Sequence, residues 1–208
     1  MGKIELIKKA IEKAEREESK LGAEQIAIGG YTSPKIRHLL NNLGEIFQTR
    51  SIMPIYKYLE IGVHRGSTFV SALFDNNLPG VAIDNWSEFN EDGTVKAEFL
   101  KNIKPFGDTV QFIEADCFTT SLPKNEYDMY LYDGGHGYEE QKMGITYFLP
   151  SMKDEFILCI DDYNWEQVEK GTQDGISECG LTKLFEIKLT DGYHNGFYVA
   201  LLKKIVYI

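Results

Sequence analysis

Asp133-Gly134-Gly135-His136 follows an apolar run at 127–132, and Asp161-Asp162 follows another at 156–160. Short apolar runs bounded by polar and glycine residues read as buried strands, so these side chains fall at strand ends. If the two strands are adjacent and parallel, Asp133, Asp161 and Asp162 gather at one edge of the sheet. Three carboxylates in one place repel each other unless a cation or a proton relieves them. Oxygen ligands suit a hard divalent ion, Mg²⁺, Mn²⁺ or Ca²⁺. Helix capping and solvated turns are the plainer explanation of the same aspartates. His136 has the chemistry of a general base, or is simply a histidine held in a turn. Of the other histidines, His38 is placed on a helix face, His64 beside the glycine loop, and His194 in a late turn.

A second constellation lies upstream. Glu60-Ile61-Gly62-Val63-His64-Arg65-Gly66-Ser67 sits where a strand pattern gives way to a helical one. Ligands of open parallel sheets bind beyond the carboxyl ends of the strands. Gly62 and Gly66 let the backbone turn and approach a ligand without a Cβ in the way. The spacing is Glu-x-Gly-x-x-x-Gly, not the Gly-x-Gly-x-x-Gly of dinucleotide sites. Glu60 would repel a pyrophosphate and attract an ammonium. The next strand ends in Asp84, 18 residues after Gly66, a spacing suited to ribose hydroxyls. Trp86 is placed against an adenine or in the core. The third strand ends in Asp116-Cys117, where Asp116 can accept from an adenine amino group. A ligand with an amino group, a carboxylate and a sulfonium suits such a mixed-sign site, and S-adenosylmethionine (SAM) is one. The predicted cofactor contacts are Glu60, Gly62, Arg65, Gly66, Ser67, Asp84, Trp86, Asp116, Cys117 and Asp133.

The elements that must position these residues are read from periodicity. Strands are predicted at 56–61, 80–84, 110–114, 127–132, 156–160, 184–189 and 197–202. Helices are predicted from 4 to a stop near Gly22, from 34 to 44 behind a Ser33-Pro34 cap, and at 67–74, 95–103 and 139–148. A short helix is expected around 167–170. Alternating strands and helices imply an α/β fold with a mostly parallel sheet covered by helices on both faces. The last two strands, joined by a turn at 191–196, imply an antiparallel hairpin. A boundary is expected near Arg50, with residues 1–50 as an N-terminal helical cap and 51–208 as the α/β domain.

Composition narrows the partners. The 208-residue chain carries a formal net charge of −10 and is 43% hydrophobic. Phosphate backbones and acidic membranes attract basic surfaces, so neither nucleic acid nor membrane is an expected partner. Cys117, Cys159 and Cys179 form no CxxC pair and read as reduced thiols. The charged N-terminal stretch is not a signal peptide, and no apolar run reaches the length of a membrane span. A cytoplasmic location is expected, with a homo-oligomer left open.

Glu60–Gly66, Ala82-Ile83-Asp84 and Glu114-Ala115-Asp116 resemble, in order, the first three SAM-binding motifs of class I methyltransferases. The resemblance covers residues 55 to 203. It implies a Rossmann-like, seven-stranded sheet whose last strand is antiparallel. Asp133-Gly-Gly-His136-Gly-Tyr138-Glu139 and Asp161-Asp162-Tyr163 further resemble metal-dependent sugar O-methyltransferases of the macrolide-sugar and aminocoumarin-sugar type. That resemblance implies metal ligands at Asp133, Asp161 and Asp162, with Mg²⁺ or Mn²⁺ bound, and His136 as base, with Asp133 also in the catalytic set. Some relatives use an Asp where this chain has Gly135, and some have Glu-Asp for Asp161-Asp162. The reaction implied is methyl transfer from SAM to a hydroxyl of a sugar or glycan. From their position alone, Gly30–Ser33 are expected to fold over the cofactor, and Tyr163–Trp165 with the 191–196 turn to shape the acceptor pocket. The alternatives are a catechol-type O-methyltransferase, a nucleotide-sugar dehydrogenase or epimerase using NAD, and a non-catalytic SAM-fold scaffold.

Overall fold

The apolar runs become strands and the amphipathic runs helices in the computed structural model, which describes residues 2–47, 56–90 and 93–205. The chain forms two compact units, Met1–Thr119 and Thr120–Ile208. The boundary expected near Arg50 lies outside the described residues.

In the first unit β1 (Tyr58–Ile61), β2 (Gly80–Asp84) and β3 (Val110–Glu114) are parallel, in the order β3-β2-β1. Parallel neighbours need a crossover. Helices α4 (Ser67–Leu73) and α5 (Val95–Ile103) supply the two crossovers. Every residue of β1 and of α4 is buried. Helix α3 (Pro34–Ile46) packs on α4, and α1 (Lys3–Glu15) packs on α3. The predicted cap of α3 is present: Ser33 Oγ accepts the Ile36 N–H at 3.3 Å, with Pro34 at the first helical position. Helix α1 ends at Glu15, well before Gly22, because the chain turns out through Glu17 at φ +53°. A four-residue helix, α2 (Ala23–Ile26), follows. It is too short for an amphipathic period to reveal it.

In the second unit β4 (Tyr127–Tyr132), β5 (Met152–Ile160), β6 (Thr182–Leu189) and β7 (Phe197–Lys203) lie in the order β4-β5-β7-β6. Strands β4 and β5 are parallel, and β7 is antiparallel to both β5 and β6. The expected terminal hairpin is therefore present, with the last strand inserted between β5 and β6. Helices α6 (Tyr138–Thr146) and α7 (Glu166–Glu178) pack against each other. Helix α7 runs 13 residues, where only a short helix around 167–170 was expected. Its glycines lower helix propensity but permit the close contact. A Cβ on Gly171 would lie 2.7 Å from the Tyr138 carbonyl oxygen, and one on Gly175 would lie 2.9 Å from Ile145 Cβ. Among the described residues no helix is long and apolar enough to cross a membrane.

Candidate active site

The first unit carries the glycine loop. β1 delivers Glu60 fully buried, its carboxylate accepting from Tyr58 Oη at 2.5 Å and from Thr68 Oγ1 at 2.6 Å. Glu60 thus braces β1 against the first turn of α4. Beyond it Gly62, His64 and Gly66 adopt φ +80°, +48° and +83°. The carboxylate of Asp84, at the end of β2, accepts the His64 N–H at 2.8 Å and the Trp86 N–H at 2.7 Å. Asp84 therefore ties the loop to β2, and its remaining lone pairs stay available to a ligand hydroxyl. Trp86 takes the core role of the two expected. Its ring is buried between Phe99 and Phe112, with centroids at 5.5 and 5.1 Å, and its Nε1–H donates to the His64 carbonyl at 3.0 Å.

Arg65 pairs with Glu98 on α5, Nε to Oε2 at 2.8 Å, and its Nη1 lies 3.4 Å from His64 Nε2. Ser67 is buried beneath Gly30, where an added Cβ would come within 2.2 Å of Ser67 Oγ. The Gly29-Gly30 chain therefore lies on the first turn of α4. The exposed ring of Tyr31 sits 5.2 Å from that of His64 and 5.5 Å from that of Phe89. Asp116 is exposed, and its Oδ1 accepts the Phe118 N–H at 2.9 Å at the start of the short turn Cys117–Thr119. Cys117 is partly buried there.

Arg37, which neither residue type nor spacing singles out, holds the chain entering this region. It is buried on α3 and donates to the carbonyls of Gln25, Ile26 and Ile28 and to Ser71 Oγ. Burial lowers its pKa to about 10, so it stays charged at neutral pH.

Gly66 gives a direct test of the loop. Its φ of +83° is strained for any L-residue, and a Cβ would sit 3.0 Å from Phe99 Cδ2. The left-handed conformation costs a side-chain-bearing residue about 1–2 kcal/mol. Gly66→Ala is expected to lower the melting temperature by roughly 2–4 °C per kcal/mol at this chain length and to weaken ligand binding at the loop. A variant with unchanged melting and binding would show that the loop tolerates the side chain.

The second unit gathers the other constellation. β4 and β5 are parallel neighbours, so Asp133 and Asp162 leave the same end of the sheet. His136 Nε2 lies 3.2 Å from Asp162 Oδ2 and 3.9 Å from Asp133 Oδ1. The three residues each offer a ligand atom, all within 4.8 Å of one another. The two carboxylates suit a hard divalent cation such as Mg²⁺ or Mn²⁺, with the imidazole nitrogen beside them. His136 Nδ1 is buried with no hydrogen-bond partner, and the ring meets Trp165 edge-on at 5.1 Å.

Asp161 is not in this group, contrary to the expectation for the Asp161-Asp162 pair. Beyond β5 the chain turns through Asp162 at φ +53°, and it is the Asp162 carboxylate that reaches His136. The Asp161 side chain is buried, and its Oδ1 accepts the Asp162 N–H at 2.9 Å. Burial, with the neighbouring Asp162 charge second, pushes its pKa up to about 7. One residue of the site was not singled out by the sequence: Asn195, in the turn after β6, donates from Nδ2 to Asp162 Oδ1 at 2.8 Å. Only its place in a turn already expected to border the site pointed toward it.

Residues 59–163, from within β1 through Tyr163, match a family described as a methyltransferase domain. No curated protein matches the chain by sequence. Among solved structures, a Corynebacterium glutamicum protein is similar with a TM-score of 0.62 at 14% identity, over 95% of this chain and 91% of that one. A Pyrococcus horikoshii protein described as an RNA methyltransferase is similar with a TM-score of 0.60 at 10% identity, over 96% and 98%. The 1,6-didemethyltoxoflavin-N1-methyltransferase of Burkholderia thailandensis, solved with S-adenosylhomocysteine, is similar with a TM-score of 0.55 at 12% identity, over 72% and 71%. At these identities the likeness establishes the fold, a Rossmann-like arrangement of seven strands with the last one antiparallel.

Proposed function

This chain belongs to the methyltransferase-domain family, and on that premise we propose that it transfers a methyl group from SAM to a hydroxyl oxygen of a sugar or glycan, assisted by a divalent cation. The observation that carries this reading is the convergence of the Asp133 and Asp162 carboxylates beside His136 Nε2, at 3.9 and 3.2 Å.

SAM, when bound, supplies an electrophilic methyl group on its sulfonium. The loop from Gly62 to Gly66 lets a ligand approach its backbone closely. Asp84 would accept from ribose hydroxyls, and the exposed Asp116 carboxylate from the adenine amino group. Asp133 and Asp162 would hold Mg²⁺ or Mn²⁺, which favours the ionised form of a hydroxyl it binds. His136 accepts the hydroxyl proton at Nε2. The Asp162 carboxylate, 3.2 Å from that same nitrogen, offsets the charge of the imidazolium that results. The net charge of −10 favours a neutral sugar over a nucleic acid as acceptor. Residues 1–50 serve as the helical cap and 51–208 as the catalytic domain, in a cytoplasmic protein.

Calorimetry tests the donor half. SAM or its demethylated product is expected to bind with micromolar affinity, about −8 kcal/mol, and NAD is expected not to bind. Binding of NAD without binding of SAM would remove the reading.

A further inference from the structure

The turn between β6 and β7 folds back onto the segment that follows β5. The Tyr163 N–H donates to the Gly196 carbonyl at 3.0 Å, and the Asn164 N–H donates to the Asn195 carbonyl at 2.8 Å. Tyr193, in the same turn, is buried and anchors it. These two backbone bonds fix Asn195 beside Asp162. The carboxamide Nδ2 donates to Asp162 Oδ1 at 2.8 Å, while Asp162 Oδ2 lies 3.2 Å from His136 Nε2. The two oxygens of Asp162 are thereby distinguished: one is committed to the turn and the other faces the histidine. Asp162 itself sits at φ +53°, a conformation uncommon for residues with a side chain, so its backbone is also held in place.

We propose that Asn195 is a positioning residue of the cation site: by engaging Asp162 Oδ1 it presents Oδ2 to the metal and to His136. This rests on the reading of Asp133 and Asp162 as ligands of a divalent cation, with His136 beside them. A carboxylate free to rotate spends part of its time with neither oxygen aimed at the ion. A neutral amide donor restrains it without bringing a positive charge that would compete with the cation, as a lysine or arginine would. Groups that orient metal ligands in this way typically change metal affinity by about 10–100-fold when removed.

The test is a Mn²⁺ titration of the full chain followed by electron paramagnetic resonance, without SAM or acceptor. Wild type is expected to bind Mn²⁺, and Asn195→Ala to bind it about 10–100-fold more weakly, with SAM affinity by calorimetry unchanged. Asn195→Leu, nearly the same size but without the donor, should show the same loss and serves if the alanine variant does not fold. Equal Mn²⁺ affinity in wild type and variants would overturn the role of Asn195 and leave the cation site standing. A wild type that binds no Mn²⁺ would overturn the cation site and the inference together. Failure of both variants to fold would make Asn195 a structural clamp and overturn the assignment as well.

Discussion

His136→Ala is expected to lower turnover by about 10²–10⁴-fold, the usual contribution of a positioned general base, while SAM affinity and melting temperature stay near wild type. The side chain is partly exposed, and its nearest polar neighbours are the two carboxylates of the site. Its removal therefore takes away one edge contact with Trp165 and little of the core. Steady-state kinetics on a responsive acceptor, with calorimetry for SAM, separates the effects. Near-normal turnover would pass the proton to water or to a carboxylate. A variant that does not fold would make His136 a structural residue of its glycine-rich turn.

Chelation is expected to be at least as severe. A bound cation supplies several kcal/mol of charge stabilisation, and each 1.4 kcal/mol is about tenfold in rate. Excess EDTA should reduce activity by roughly 10³-fold or more, and added Mg²⁺ or Mn²⁺ should restore it. Asp162→Asn should reproduce the chelated state, because it removes the charge that faces His136. Asp161→Asn should retain metal dependence, because Asp161 is buried apart from the three-residue group. A specific observation favours one rival: the His136–Asp162 approach of 3.2 Å is shorter than the His136–Asp133 approach of 3.9 Å, as in a carboxylate–histidine pair acting without metal. Full activity in excess EDTA would establish that rival and leave Asp133 as a turn residue.

The parts of this site that residue type and spacing revealed are those fixed by local structure. Strand ends follow from apolar runs, so the positions of Gly62, Gly66, Asp84, Asp116, Asp133 and Asp162 along the chain could be read directly. What each side chain touches depends on backbone direction and on distant segments. Asp161 and Asp162 are equivalent by sequence, yet only Asp162 faces His136. Asp84 and Glu60 were read as ligand contacts. The structure shows both also bracing the loop, through the His64 and Trp86 amides and the Tyr58 and Thr68 hydroxyls. Asn195 lies 33 residues from its partner Asp162, and only the folding of β6 and β7 brings them together. The length of α7 was hidden for a related reason. Its glycines argue locally against a helix, and their purpose is visible only once α6 lies alongside.

The protein is expected to transfer methyl from SAM to a saccharide hydroxyl at a cation-dependent site. Incubation of the protein with SAM carrying a deuterated methyl group, Mg²⁺ or Mn²⁺, and a panel of glycosides and catechols, read by product mass, tests it most directly. The expected result is a labelled O-methyl glycoside that forms with the metal and fails to form in EDTA. Labelled product on catechols alone, or equal product with and without EDTA, would contradict it.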